Sequence, residues 1–181
     1  MASRRAKKRL VSLIAALLVA LVGWLAARYP NTASKFIKTA PPGTYNVVAF
    51  DDGDTIQVDM NGVHEKIRFI GVDTPETHDP RKEVQCFGHA AANFTKQLIG
   101  SQPVRLEADP LSSNRDRYNR LLRYVYLPDG LLVQAEIIRQ GYGFAYTSFT
   151  FTKNDEFVGL QKEARESNSG LWKDCTPQTN D

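Results

Sequence analysis

The chain has 181 residues, enough for one medium domain with extensions, and its formal charge of +3 conceals a segregation. Eight Lys or Arg and no acid lie within positions 1–50, which leaves 15 basic residues against all 20 acidic ones beyond, a net of −5. So acidic a globular part excludes a high-affinity, sequence-blind nucleic-acid coat, which needs a basic face to displace counterions.

Five basic residues (Arg4, Arg5, Lys7, Lys8, Arg9) precede an uncharged run of 18, Leu10–Ala27, rich in Leu, Val and Ala. As a helix it measures roughly 27 Å, close to the ~30 Å hydrocarbon core. It reads as a transmembrane signal anchor with its N-terminus cytoplasmic. A cleaved signal peptide is the alternative; the length of the run and the bulk of Trp24 and Leu25 disfavour it. A buried soluble helix would carry a polar face, and this run has none. Both membrane readings export residues 31–181; the anchored one makes the protein single-pass, its domain on the extracytoplasmic side. Asn31–Gly43, ending Ala-Pro-Pro-Gly, reads as a linker, and 176–181 as a polar tail.

The globular part, 44–175, opens with a predicted strand at Tyr45–Phe50. Thr55–Met60 and Lys66–Val72 form a hairpin around Asn61-Gly62, a strong two-residue turn signal. Asp73–Gln85 is a polar loop. Gly88–Ile99 shows helical spacing through Ala91, Phe94, Thr95 and Leu98, and Gly100 ends it. Val104–Ala108 is a fourth strand, Asp109–Arg117 a polar loop and Leu121–Leu127 a fifth strand. Helices follow at Leu132–Gln140 and Asn154–Ser167, the latter with Phe157, Leu160, Gln161 and Ala164 on one stripe. The string predicts a mainly β fold with helices (α+β): a five-stranded OB-type barrel with three helices outside it, although other α+β folds share the order.

Export also changes the reading of Cys86 and Cys175, since two cysteines in one exported domain usually pair. Two buried thiols are the alternative. A zinc site is disfavoured, because His64, His78 and His89 show no ligand spacing.

The chemistry-bearing residues cluster around the hairpin. Asp54 and Asp73 stand at its two ends, which antiparallel pairing brings together. Carboxylates so placed repel unless a cation or proton intervenes, and all-oxygen ligands suit Ca²⁺ or Mg²⁺. Arg68 interrupts an apolar run (Ile67, Phe69, Ile70), where a charge is costly without a partner. Arg120 belongs to an arginine-rich stretch with Arg115, Arg117 and Arg123. Acids for a metal, planar guanidinium forks for a phosphate and one acid, Glu76, for a water make up the equipment for phosphodiester hydrolysis.

In order, Asp52-Gly53-Asp54-Thr55, a strand arginine, Val72-Asp73-Thr74-Pro75-Glu76 and Asp116-x-Tyr118-x-Arg120 resemble the staphylococcal nuclease (thermonuclease) family. The likeness runs from Thr44 to Trp172 and includes Phe87-Gly88, Leu121–Tyr126, Ile138-Arg139-Gln140-Gly141 and Gly170-Leu171-Trp172. The resemblance implies an OB-fold and Ca²⁺-dependent endonuclease action on DNA and RNA with little sequence preference. It also implies cleavage of the P–O5′ bond, which leaves 3′-phosphate ends. Asp54 and Asp73 match the carboxylate ligands of the Ca²⁺, and Thr74 a backbone-carbonyl ligand. Glu76 matches the acid that orients or deprotonates the attacking water; Arg68 and Arg120 match the pair on the scissile phosphate. Tyr118 matches a phosphate-contacting tyrosine and Tyr146 an aromatic near the base, with Arg117 a further substrate-binding cation. There are departures. Asn119 stands where the family usually has Gly, a position where Asn tolerates left-handed backbone. After Tyr146 comes Thr147-Ser148-Phe149, without a clear second tyrosine.

Two other readings compete: a catalytically inactive nucleic-acid-binding barrel and a tethered Ca²⁺-binding adhesion domain. Retention of all five key side chains disfavours the first, and the arginines have no purpose in the second. The expected partners are a nucleic acid substrate and the membrane; the protein is expected to be a monomer with no obligate protein partner.

Overall fold

The computed structural model describes residues 43–77 and 84–175, together with Leu17, Val19 and Ala20. The chain divides into two units, Met1–Thr39 and Ala40–Asp181. In the first, the three described residues are helical and exposed; the predicted anchor, linker and C-terminal tail otherwise lie outside the described residues. Among the described residues no helix is long and apolar enough to cross a membrane.

In the second unit, Asn61 and Gly62 both adopt left-handed backbone (φ 59° and 87°). That geometry matches the twist of a two-residue hairpin. It joins β2 (Thr55–Met60) to β3 (Val63–Phe69), with Met60 opposite Val63 and Thr55 opposite Arg68. The predicted third strand therefore starts three residues early. Val63, His64 and Glu65 pair across the hairpin without burying their side chains, so they carry no apolar alternation. It also ends early: Gly71 (φ 74°) turns the chain, and Val72–Asp73 becomes a separate strand, β4.

β1 (Thr44–Phe50) pairs antiparallel with β2 on one edge and with β5 (Val104–Glu107) on the other. A bulge between Val47 and Ala49 bends it to serve both. β6 (Leu121–Tyr126) pairs antiparallel with β5 and parallel with β3, closing a barrel in the order β1-β2-β3-β6-β5. A parallel closure requires a long crossover, which α1 (Gly88–Ile99) and β5 supply. The inward faces of Ile56, Val58, Ile67, Phe69, Val104 and Val125 fill the interior.

Outside the barrel, α2 (Val133–Arg139) buries Val133, Ile137 and Ile138, and α3 (Asn154–Glu166) buries Phe157 and Ala164. Leu160 and Gln161 of the predicted α3 stripe are half-buried. Two features were not foreseen: a small sheet of β4 with β7 (Phe144–Ala145), and a four-residue helix, α4 (Leu171–Asp174). Both are too short to show a periodic pattern and exist through tertiary contacts. Cys86 and Cys175 form a disulfide, as expected.

Asp109 is the main buried anchor of the loop read as merely polar. It accepts hydrogen bonds from Thr152 N (2.7 Å), Thr152 Oγ1 (2.5 Å), Tyr124 Oη (2.7 Å) and Leu111 N (2.7 Å). Burial raises its pKa, but these donors, Thr152 and Tyr124 foremost, outweigh burial and draw it down to about 2. A depressed carboxylate stabilises the fold above its unfolded pKa of ~4 and loses that contribution as pH falls toward 2, roughly 2 kcal/mol in all. Asp109→Asn is therefore expected to lower stability by about 1–3 kcal/mol at neutral pH. It should also flatten the acid limb of the stability profile between about pH 4 and 2, measured by urea titration across pH. Reducing the disulfide should cost up to about 4–5 kcal/mol on the chain-entropy model, read as a lower denaturation midpoint.

Candidate active site

The hairpin carries Asp54 to one end of the barrel. Thr55 opposite Arg68 is its last pair, and the Phe69 N–H donates to the Asp54 carbonyl at 2.9 Å. The loop before it is pinned from outside, where Thr95 of α1 donates its hydroxyl to the Gly53 carbonyl at 2.6 Å. Gly53 is needed for close approach: a Cβ there would lie 2.8 Å from Thr74 Oγ1. Thr74 in turn donates its N–H (2.9 Å) and hydroxyl (3.2 Å) to Asp54 Oδ2. Asp54 and Thr74 thus meet although 20 residues separate them.

Arg68 joins the two predicted metal-ligand carboxylates. Its Nη1 is 3.0 Å from Asp54 Oδ2 and its Nη2 is 2.7 Å from Asp73 Oδ1. Nη1 also donates to the carbonyls of Val72 (2.7 Å) and Phe69 (3.3 Å). The guanidinium is 12% exposed and the Asp54 carboxylate 6%. Even so, acid outnumbers base. Burial, then the charge of Asp54, pushes the Asp52 carboxyl up to about 7. Burial also raises Asp73; Arg68 opposes the rise, and Asp54 and Glu76 add to it.

Asp54, Asp73 and the Thr74 backbone offer only hard oxygen donors in a region with surplus negative charge. They fit a hard divalent cation better than a softer one. Among the described residues no group of three or more His, Cys, Asp or Glu side chains forms a metal cage. A cation here would need further oxygens from water or substrate, the usual situation where phosphate is also bound.

The second arginine is set by a tight loop. Asp116 accepts from Tyr118 N and Arg120 N through Oδ1, both at 2.9 Å, and from Arg120 Nε through Oδ2 at 2.7 Å. Burial works against the Asp116 charge, but the Arg120 N–H groups prevail and hold its pKa low. Asn119 takes left-handed backbone (φ 65°), the conformation that the substitution for Gly has to tolerate. Arg120 Nη1 reaches Thr55 Oγ1 at 3.4 Å, and Thr55 Oγ1 donates to Asp54 Oδ1 at 3.0 Å. Thr55 therefore links the two arginine systems.

An open groove of ≈ 890 Å³ brings together Arg68, Asp73, Arg117, Tyr118, Arg120 and Tyr146. Arg117 Nη2 donates to Tyr118 Oη at 2.7 Å. The Tyr146 N–H donates to the Gly71 carbonyl at 2.9 Å, and its ring meets Phe149 edge-on, with centroids 5.4 Å apart. Phe149 lines the groove and was missed as a site residue; the spacing Tyr146-x-x-Phe149 was its only signal. Asp54, Thr74 and Glu76 do not line the groove. Glu76 lies near enough to raise Asp73, and its Oε1 accepts from Thr77 N at 2.9 Å. Its backbone is held by Gln85, a second residue not foreseen.

Comparison with known proteins agrees with this geometry. A family profile described as "Staphylococcal nuclease homologue" matches residues 66–174. The thermonuclease of Staphylococcus intermedius is 40% identical over 134 residues, 72% of this chain and 76% of that protein. The thermonuclease of Staphylococcus hyicus is 33% identical over 164 residues, 90% of this chain and 95% of its own length. Endonuclease YncB of Bacillus subtilis (strain 168) is 35% identical over 133 residues, 71% of this chain and 61% of that protein. The chain belongs to the staphylococcal nuclease family.

Proposed function

We propose that this protein is a Ca²⁺-dependent endonuclease that cleaves DNA and RNA with little sequence preference and leaves 3′-phosphate ends. As a member of the family it is an enzyme, a nuclease that hydrolyses phosphodiester bonds. The observation that carries the finer reading is that Arg68 and Arg120, each fixed by its own acceptors, open onto one groove beside Asp73.

Attack on a phosphodiester adds negative charge to the equatorial oxygens. Guanidinium groups held ready stabilise that charge more strongly as it grows, which accelerates the step rather than merely tightening binding. Arg68 is held by Val72 and Asp73, and Arg120 by Asp116 and Thr55. Neither has to search for its position. Ca²⁺ held by Asp54, Asp73 and the Thr74 carbonyl would supply further positive charge to the phosphoryl oxygens. Glu76 orients or deprotonates the attacking water. Tyr118 and Arg117 steady the nucleotide backbone, and Tyr146 stacks on a base, a contact worth about 1–3 kcal/mol that every base can make. Phosphate contacts carry no sequence information, which supports broad substrate choice.

For the N-terminus we propose a single-pass anchor at Leu10–Ala27 with the nuclease domain outside the cytoplasm, acting as a monomer. Support comes from the basic flank of the run and from the Cys86–Cys175 disulfide, a bond that persists in oxidising compartments.

The purified protein should digest single-stranded DNA and RNA when Ca²⁺ is present and stop on addition of chelator, with 3′-phosphate termini in the products. Chelator-resistant cleavage would refute the metal assignment. Glu76→Gln should lower kcat by about 10²–10⁴-fold with melting unchanged within a few degrees; wild-type turnover would remove Glu76 from the reaction. Arg68→Lys should lower kcat by about 10²–10³-fold despite the retained charge, because one ammonium cannot replace a two-pronged donor.

A further inference from the structure

Glu76 is clamped at its backbone. The Gln85 side chain accepts the Glu76 N–H through Oε1 at 2.8 Å, and the Gln85 N–H donates to the Glu76 carbonyl at 3.0 Å. The first residue of α1 closes against the same peptide: a Cβ on Gly88 would lie 2.9 Å from the Glu76 carbonyl oxygen and 3.2 Å from that of Pro75. Gln85 to Gly88 therefore forms the seat on which the Glu76 backbone rests.

That seat is not a relaxed turn. Phe87 adopts φ 71° and ψ 0°, a left-handed conformation that a bulky side chain rarely takes. Such a residue is strained and persists only where its surroundings over-determine it. The surroundings here are specific. Cys86, between Gln85 and Phe87, is bonded to Cys175. The Phe87 ring lies 5.2 Å from that of Tyr142, and Gly88 N donates to the Gln85 carbonyl at 3.0 Å. The far end of the disulfide is anchored as well. Cys175 N donates to the Leu171 carbonyl and Leu171 N to the Gly141 carbonyl, both at 2.9 Å, with Leu171 buried. A continuous set of bonds runs from the end of α2, through α4 and the disulfide, to Gln85 and so to Glu76.

We propose that Gln85 is a positioning residue for Glu76, and that the Cys86–Cys175 disulfide keeps Gln85 in register, so that turnover rather than substrate affinity depends on the oxidised bond. The proposal rests on the role given to Glu76 above. Gln85 does not line the groove, so its loss leaves the substrate-binding side chains intact. A displacement of about 1 Å in a reacting group can cost 10²-fold in rate, which is why a backbone clamp outside the groove can control the chemical step.

The test uses the full chain with kcat and KM measured separately. Gln85→Leu should lower kcat at least tenfold with KM within twofold, whereas Gln85→Glu keeps an acceptor of the same reach and should restore most of the rate. Reversible reduction of the parent protein, and the paired Cys86→Ser, Cys175→Ser variant, should lower kcat in the same way. Gln85→Leu should add little in that background, because coupled residues are not additive. Hydrogen exchange at the Glu76 amide should quicken in Gln85→Leu and in the reduced protein but not in Gln85→Glu, a readout that needs no activity. Wild-type kcat in Gln85→Leu alongside an inactive Glu76→Gln would overturn this inference alone. An active Glu76→Gln would overturn the role of Glu76 and this inference with it. A change confined to KM, a Gln85→Glu as slow as Gln85→Leu, or full additivity with disulfide loss would each overturn the proposal.

Discussion

One guanidinium shared by two carboxylates holds one end of the barrel in shape. Arg68 belongs to β3, Asp54 precedes β2 and Asp73 ends β4, so a single ion-paired group ties three stretches of chain together. The Asp54 side chain and the guanidinium are mostly shielded from water. Removing one partner of such a pair typically costs about 3–5 kcal/mol, because the other charge is left buried and unmatched. The backbone carries part of the load: Thr74 N–H and hydroxyl satisfy the oxygen of Asp54 that also faces Arg68. Asp52, Asp54 and Asp73 stand around one guanidinium, and burial foremost, with neighbouring carboxylates adding to it, raises the pKa of Asp52 and Asp73. Negative charge gathered in a partly buried place is a cost to stability.

Three separate supports converge on that cluster. The β2–β3 hairpin sets Arg68 against Asp54, the Asp116–Arg120 turn sets the second arginine, and the Gln85–Gly88 turn sets Glu76. The hairpin is a backbone ladder, whereas Asp116 and Gln85 each hold backbone N–H groups through a side-chain oxygen. Thr55 connects two of the three by touching both Arg120 and Asp54.

Much of this was legible in the chain because the hairpin was. Asn61-Gly62 announces a two-residue turn, and the turn sets Asp54 against Phe69; Asp73 is not part of the hairpin but lies beyond Gly71 in β4, and Arg68 joins it to Asp54. Of the longer helices, α1 was legible through its spacing and Gly100, and α3 through its stripe. The illegible parts share one cause: their meaning comes from distant partners. Asp109 sits in a polar stretch, and its donors at Tyr124 and Thr152 lie 15 and 43 residues away. β4, β7 and α4 have two to four residues each, below the length at which a period exists. Gln85 carries no local sign of its bond to Glu76. That Arg68 needs a partner was legible from the apolar run around it; that its partners are two carboxylates required the register.

The distribution of charge explains how an acidic domain can act on a polyanion. The groove gathers Arg68, Arg117 and Arg120, with Asp73 and Asp116 on the same wall, while Lys66, Arg105, Arg115 and Arg139 are each paired with an acid elsewhere. Three arginines neutralise few phosphates at once, so the groove itself gains little from counterion release. In the proposed reaction Arg68 and Arg120 both face the atoms around one ester. Interactions that strengthen only as charge develops there are spent on rate, whereas a broad basic face would have been spent on holding substrate and product alike.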